Sequence, residues 1–432
     1  MGKAFQKGAQ VSKPKITPAE KQQAAEKKRA KKDALQILRS PRFFYQYLKA
    51  LKKVGLVGEK ANALVVLIVL VSRILRRPLN LFVRGKSSSG KNWLISRALR
   101  LMPKSAIVEV TSASDKAWNY SDRNFQHRVV YLQERNQAAG TIDPIRLLIS
   151  EGKLVRIVPK FRGGRMVTTK VVARGPVAAI STTTKNRLKI DDETRHISIW
   201  IDETSGQTRK IVSSYTSHKE LLSRRELRAW CEVHRQLETR LGSKISFPDW
   251  FEKIPERLFV NDLRVRRYYP AFVEACRVVC LIRSFQSDRN TNRRQLAVDF
   301  ADFAITTLIF EPVFVDSLRL GQAMGEDIRK IVEEIATRKG RPVRAKDIAH
   351  RLEISMDRAY AQLRQGKSLG VIQRVNEPEK DNRMEYEAVP LPRFIPEPEK
   401  LFQELEELGS EVRFVHPVTG KSVVYRRKKE KR

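Results

Sequence analysis

Between Leu79 and about residue 215 the apolar residues come in short β-rich blocks. These are LNLFVRG, SAIVEVTSAS, HRVVYLQER, GPVAAISTTT and HISIWIDE, with the helical stretches NWLISRALRLM and IDPIRLLISEG between them. Buried-strand blocks alternating with helices at this spacing predict a parallel sheet with crossover helices, an α/β fold. One segment breaks the alternation. KLVRIVPKFRGGRMVTTKVVA is two β-rich runs about Arg162-Gly163-Gly164-Arg165, and a Gly-Gly pair is a hairpin signal because tight two-residue turns need positive φ. On both sides of the β-rich region the period becomes helical. ANALVVLIVLVSRIL, Ala61 to Leu75, is apolar all round and flanked by charge. It is too short to span a bilayer and predicts a buried helix. SPRFFYQYLKALKKVGLVG upstream opens on a Ser-Pro start signal and turns amphipathic.

These shifts divide the chain into six parts. Residues 1–34 form a basic arm, expected to be disordered or loosely helical, and 35–78 an N-terminal helical segment. The α/β core occupies 79–215 and a helical region 216–325. Residues 326–388 give a helix, then RAKDIAHRLEI, a turn and SMDRAYAQLRQGKSLGVIQR. That helix-turn-helix cadence followed by a strand is the pattern of a winged helix. A Pro-rich connector and basic tail make up 389–432, with a short acidic helix and a possible hairpin.

Charge changes the picture. The net charge is +37, from 85 Lys and Arg against 48 Asp and Glu. Basic residues crowd both tails (Lys21 to Lys32, and onward from Arg426) but also recur throughout the middle. Such an excess points to a polyanion, DNA ahead of an anionic membrane surface. Cys231, Cys276 and Cys280 form no disulfide or zinc framework and predict buried thiols in a reducing compartment. With no apolar leader at the start, a soluble, cytoplasmic protein is expected.

The chemistry centres on GKSSSGKN, Gly85 to Asn92, between a predicted strand and a predicted helix. In such a loop successive backbone N–H groups and a helix N-terminus point at phosphates, and a lysine neutralises the β- and γ-oxygens. Gly85, Gly90 and Lys91 fit those roles, with Lys86, Ser87, Ser88 and Ser89 lining the loop. Asn92 stands where Ser or Thr would hold Mg²⁺ and offers a neutral carbonyl oxygen instead. RVVYLQE ends in Gln133 and Glu134, where a metal-binding acid and a water-polarising carboxylate are expected; Gln133 brings no charge. AISTTT ends in Ser181, Thr182, Thr183 and Thr184, any of which could serve as a polar sensor, Thr182 and Thr183 foremost. Arg195 lies between that block and the next strand, the position of an arginine that completes a neighbouring subunit's site.

In this order the blocks GKSSSGK, TSASDKAWNY, RVVYLQE, LLISEGKL, AISTTT and ETRHISIWIDETSGQT resemble AAA+ ATPases. The inserted hairpin is similar to the pre-sensor-one hairpin of superfamily-three and minichromosome-maintenance-type helicases. More closely, residues 40–285 resemble the helicase-like ATPases of bacterial mobile elements, often found beside or fused to primases. The resemblance implies a P-loop AAA+ core with ATP and Mg²⁺ as cofactors. It also implies a ring, usually a homo-hexamer, that translocates on or unwinds single-stranded or forked DNA during replication of a mobile element. Asn92, Gln133 and Glu134 would then serve the metal. Lys160, Arg162, Arg165 and Lys170 on the hairpin would grip phosphates, and Arg358, Arg364 and Lys367 on the winged helix would engage DNA. One of Arg264, Arg266 and Arg267 would be a second sensor. Two alternatives stay open: a DNA-dependent ATPase that remodels without unwinding, and a DNA-binding initiator or regulator whose altered loop only binds nucleotide.

The strand-end carboxylate gives a direct expectation. Glu134→Gln should retain ATP binding and lose turnover, leaving ATP trapped. Hydrolysis at the wild-type rate in single-turnover assays would remove Glu134 from the site.

Overall fold

The computed structural model describes residues 17–110, 125–133, 139–185, 195–216, 221–258, 265–286, 295–320, 331–332, 334–335, 342–368, 371–376, 384–389 and 393–427. Within the predicted α/β region, β1 (Leu81–Arg84), β2 (Ile107–Val110), β3 (Arg128–Leu132), β6 (Val177–Thr183) and β7 (Ile197–Trp200) form one sheet. Its order is β2-β3-β6-β1-β7 and every neighbouring pair is parallel. A parallel sheet is covered on both faces, so its central strands are mostly apolar; all seven residues of β6 are buried, while the edge strand β2 is only partly covered. This central parallel sheet is consistent with a P-loop AAA+ core. The apolar helix α3 (Lys60–Ser72) is buried continuously from Ala63 to Ser72, and α4 (Lys91–Leu99) follows β1. Among the described residues no helix is long and apolar enough to cross a membrane.

Between α5 (Ala139–Glu151) and β6 the chain runs out and back as β4 (Lys153–Arg162) and β5 (Arg165–Arg174), antiparallel from Lys153↔Arg174 to Arg162↔Arg165. Gly163 and Gly164, at φ 59° and 76°, make the turn. The helical region holds α6 (Ser205–Thr216), α7 (Arg224–Glu238), α8 (Val265–Arg283) and α9 (Phe300–Leu320). It also holds a short parallel pair, β8 (Lys244–Ser246) with β9 (Gln295–Ala297).

Two expectations about the chain's ends need correction. The arm expected over 1–34 is a helix from residue 18, α1 (Pro18–Arg39). Thr17 accepts from the Glu20 N–H, and the Glu20 carboxylate accepts from the Thr17 N–H at 2.7 Å, a capping box that starts the helix. Ala34 and Leu38 are buried, and Asp33 and Glu26 pair with Arg225 (2.7 Å) and Arg228 (2.6 Å) of α7. Residues 1–16 lie outside the described residues. The segment expected to be a connector and tail is part of the main core. Phe394 and Ile395 are fully buried, and their N–H groups donate to the Glu311 carboxylate of α9 at 2.7 and 2.8 Å. Beyond them α12 (Pro398–Glu404) buries Leu401 and Phe402, and the hairpin β13 (Glu411–Val415) and β14 (Ser422–Arg426) adds Phe414.

The 35–78 segment also belongs to this core, through Phe43, Tyr47 and Leu51 of α2 (Phe43–Lys53) and the whole of α3. Residues 342–389 instead have their own cluster around Ile348, Leu363, Ile372 and Tyr386. There α10 (Ala345–Leu352) and α11 (Met356–Ser368) pack on a three-stranded antiparallel sheet. Its order is β10 (Val343–Arg344), β12 (Glu385–Ala388), β11 (Ile372–Arg374). Gly366 permits the closest approach: a Cβ there would stand 2.5 Å from Ile372 Cδ1.

Glu311→Ala should strip two buried N–H groups of their acceptor and cost about 1–3 kcal/mol. Denaturant unfolding reads the loss, and limited proteolysis should find a new cut near residues 393–397.

Candidate nucleotide-binding site

Because the five strands are parallel, their carboxyl ends share one edge, where ligands sit in open α/β sheets. Gly85 to Asn92 follow β1 there. Thr182 and Thr183 end β6, in register with Val83 and Arg84. Gln133 directly follows β3 and donates its N–H to Val110 O at 3.2 Å. The next residue, Glu134, lies outside the described residues. Thus the structure brings the loop, both threonines and Gln133 to one edge.

The loop's backbone explains its glycines. Gly85, Ser88 and Gly90 have φ of 152°, 63° and 97°. A Cβ on Gly85 would come 2.7 Å from Ser89 Oγ and 2.9 Å from Glu203 Oε1, and at φ 152° any side chain would be strained. Gly90 caps α4 without a side chain, which leaves the first helical N–H groups facing the loop. Lys91 is nearly buried, and its ammonium donates to Gly85 O at 2.9 Å and to Lys86 O. The buried Ser89 hydroxyl has no hydrogen-bond partner. A turn of backbone wrapped round a lysine, an open helix start and an unused hydroxyl fit a chain of phosphates.

Three neighbours escaped the sequence reading. Glu203, just past β7, accepts from the Lys86 N–H at 2.5 Å, with Lys86 Nζ 3.9 Å from its other oxygen. A carboxylate therefore occupies a backbone donor that a phosphate oxygen would use. Tyr131, buried in β3, donates its hydroxyl to Asn92 Oδ1 at 3.2 Å. The oxygen expected to serve a metal is thereby turned toward β3, with one lone-pair direction remaining. Glu59 accepts from the Asp202 N–H at 2.8 Å and from Asn62 Nδ2 at 2.6 Å, and burial raises its carboxyl above the usual range. Asn62 also donates to Trp200 O at 2.7 Å, so the turn before α3 is tied to the end of β7. Each contact joins distant segments, and only the strand order would have found it. Among the described residues no three His, Cys, Asp or Glu groups are placed to hold a metal. Asn92 and Gln133 supply neutral oxygens only.

Arg195 is elsewhere. It stands two residues before β7, whose first residue pairs with Leu81, so it lies at the amino edge of the sheet. A four-residue strand spans about 13 Å, which separates Arg195 from its own phosphate loop. There it lines a cavity of about 170 Å³ with Arg77, Asn80, Arg267, Tyr268 and Glu274. Burial raises the Glu274 carboxyl, against the pull of Arg277. Arg264 lies outside the described residues, so Arg267 is the sensor candidate that shares this cavity.

The nucleic-acid candidates are dispersed. Arg165 and Lys170 are exposed on β5, while the side chains of Lys160 and Arg162 lie outside the described residues. On α11, Arg358, Arg364 and Lys367 are exposed, clear of the Ala359, Leu363 and Gly366 stripe that packs inward. Arg364 folds back onto Tyr360 O at 3.4 Å.

No protein-family model matches the sequence, and no curated protein matches it. Among solved structures the chain is similar to a full-length MCM homolog from Methanopyrus kandleri, at 9% identity and TM-score 0.38, over 70% of this chain and 63% of that one. It is also similar to the SCCmec type IV Cch active helicase, at 11% and 0.31, over 78% and 68%. ORC1 from Aeropyrum pernix, solved with DNA, matches at 12% and 0.25, over 81% and 93%. At these scores the likeness carries no argument, and the chemistry rests on the site's own geometry.

Glu203→Gln removes a like charge from the loop and should tighten ATP binding about threefold to tenfold. Lys91→Ala should weaken it about 10- to 100-fold, the loss of a charge-assisted contact. Titration with a fluorescent ATP analogue measures both, and unchanged affinity in Glu203→Gln would show that the carboxylate does not compete.

Proposed function

We propose that this chain is an AAA+ motor that uses ATP and Mg²⁺ to move along or separate DNA, working as a ring with nucleotide between subunits. One observation carries the reading: the phosphate loop and Arg195 occupy opposite edges of the same sheet. A single copy holds two half-sites that cannot meet, and a second copy placed head to tail would join them. Bound ATP would supply the cleavable anhydride, and Mg²⁺ its charge neutralisation. Lys91 and the loop N–H groups hold the phosphates, with Asn92 and Gln133 nearest the metal position. Thr182 and Thr183 end the strand beside the loop and orient polar atoms there. Glu134 polarises the water. Arg195 of the neighbouring copy meets the charge that develops on the γ-phosphoryl group, and Arg267, sharing its cavity, serves as the second sensor from the same side.

The DNA side rests on the net charge of +37, the hairpin projecting between α5 and β6 as a pre-sensor-one element, and the 342–389 unit acting as a winged helix. The sequence resemblance supports a role for such a motor in replication of a mobile element, with a primase as partner. A second reading is favoured by one contact. Asn92 Oδ1 is already held by Tyr131, which suits a regulator that binds nucleotide without cutting it.

Arg195→Ala should bind ATP normally and lose turnover by about 10³-fold or more, the effect of removing such an arginine. Mixed with Glu134→Gln protein it should regain activity, because some interfaces then keep both intact halves. ATPase assays with and without single-stranded DNA test this. Full activity in a strictly monomeric protein would sink the ring, and nucleotide binding with no turnover in the wild type would leave the regulator.

A further inference from the structure

Alternate residues of a strand face opposite sides, so the β4–β5 hairpin has two distinct faces. Leu154, Val158, Val171 and Ala173 share one face and are buried, and Leu154 and Ala173 pack with Ile145 and Leu148 of α5. The opposite face is open to solvent, where polar side chains are the rule. Here the rule is inverted. Ile157 and Phe161 are each 72% exposed and Met166 is 64% exposed. Phe161 and Met166 are cross-strand partners beside the turn, while Ile157 is paired with the exposed Lys170. Arg165, one residue before Met166 and paired with Arg162, belongs to the other face. Apolar groups left open in this way mark an interaction surface.

We infer that this face is a base-stacking platform for single-stranded nucleic acid. The flat of an unpaired base covers Phe161 and Met166, while Lys170, on the same face beside Ile157, takes a flanking phosphate. The inference rests on the hairpin being the element that grips DNA, and it deepens that reading by naming the strand form. In a duplex the base faces are already stacked on one another, so only an unpaired strand can cover apolar side chains with them. The interleaving selects the occupant: apolar positions beside a lysine match a ligand that is planar and apolar yet carries an anion at every repeat. Two copies of this face pressed together about a two-fold axis would bring both Lys170 side chains into one interface.

The test uses the full chain and measures anisotropy of a labelled oligo-dT and of a duplex of equal length over a salt series. Phe161→Ala with Met166→Ala should weaken oligo-dT binding about 5- to 100-fold, the worth of one stacked base, with the salt slope and duplex affinity retained. Lys170→Ala should instead flatten the oligo-dT slope by about 0.7, from one phosphate contact on a single strand. Phe161→Trp should keep the affinity and add a fluorescence quench on oligo-dT that the wild type lacks. Unchanged oligo-dT affinity in the double alanine variant, an equal loss on duplex, or a shift in oligomeric state by sedimentation without a binding defect would each overturn the proposal. ATP turnover of the wild type judges the motor separately, so stacking can stand if the motor falls, and the reverse.

Discussion

Parallel pairing of β1 with β6 on one side and β7 on the other is the constraint on which the rest depends. A parallel strand must be reached by a crossover from the far end, so every loop at the carboxyl edge is followed by a return to the amino edge. That geometry brings Lys91, Thr183, Gln133 and Glu203 together from four separate connections. It also keeps Arg195 away from all of them. The buried Arg84 locks this arrangement: it ends β1, bonds Ser198 Oγ of β7 at 3.1 Å and lies over the Trp200 ring. Asn80 does the same at the other edge, where its side chain accepts from the Ala179 N–H and its carbonyl from the Ile197 N–H.

The electrostatics of the loop run against the chain as a whole. The protein is strongly basic, yet the carboxylate of Glu203 sits directly on the phosphate cradle. A bare cradle inside so basic a protein would attract any anion in solution. An internal carboxylate fills the same donor with a weaker, tethered competitor, which leaves affinity to ligands that satisfy several donors at once. The cost is some binding strength for the intended ligand.

Much of the site was legible because loop chemistry is local. GKSSSGKN needs positive φ at fixed offsets and a helix directly after it, and both are written in the sequence. The strands were legible from apolar blocks, and the hairpin from Gly163-Gly164. The contacts from Tyr131 to Asn92 and from Glu203 to Lys86 were not, since they depend on which strands become neighbours. The hairpin's two faces show the limit of composition as a guide. Its basic residues drew attention in the sequence, while Ile157, Phe161 and Met166 passed as ordinary strand formers until the fold showed which face was covered. Helix α1 was read only as a disordered or loosely helical arm for a similar reason. Its run of lysines looks like a solvated arm, and only Ala34, Leu38 and the acids facing α7 give it a seat.

Gly420 at φ 71° sits where a Cβ would come within 2.7 Å of the Tyr45 ring. The turn between the last two strands is thus pressed against the second helix of the chain, and Phe394, Phe402 and Phe414 close the same core from the late side. During synthesis every part of the phosphate loop emerges long before this closing segment does. A nascent chain that has already released the phosphate loop therefore still lacks the segment that covers α9 in the folded core. Packing is completed only when residues 394–425 have cleared the ribosome. A chain cut short of residue 394 would leave Phe300 and Phe314 of α9 without the rings of Phe402 and Phe394 that pack on them.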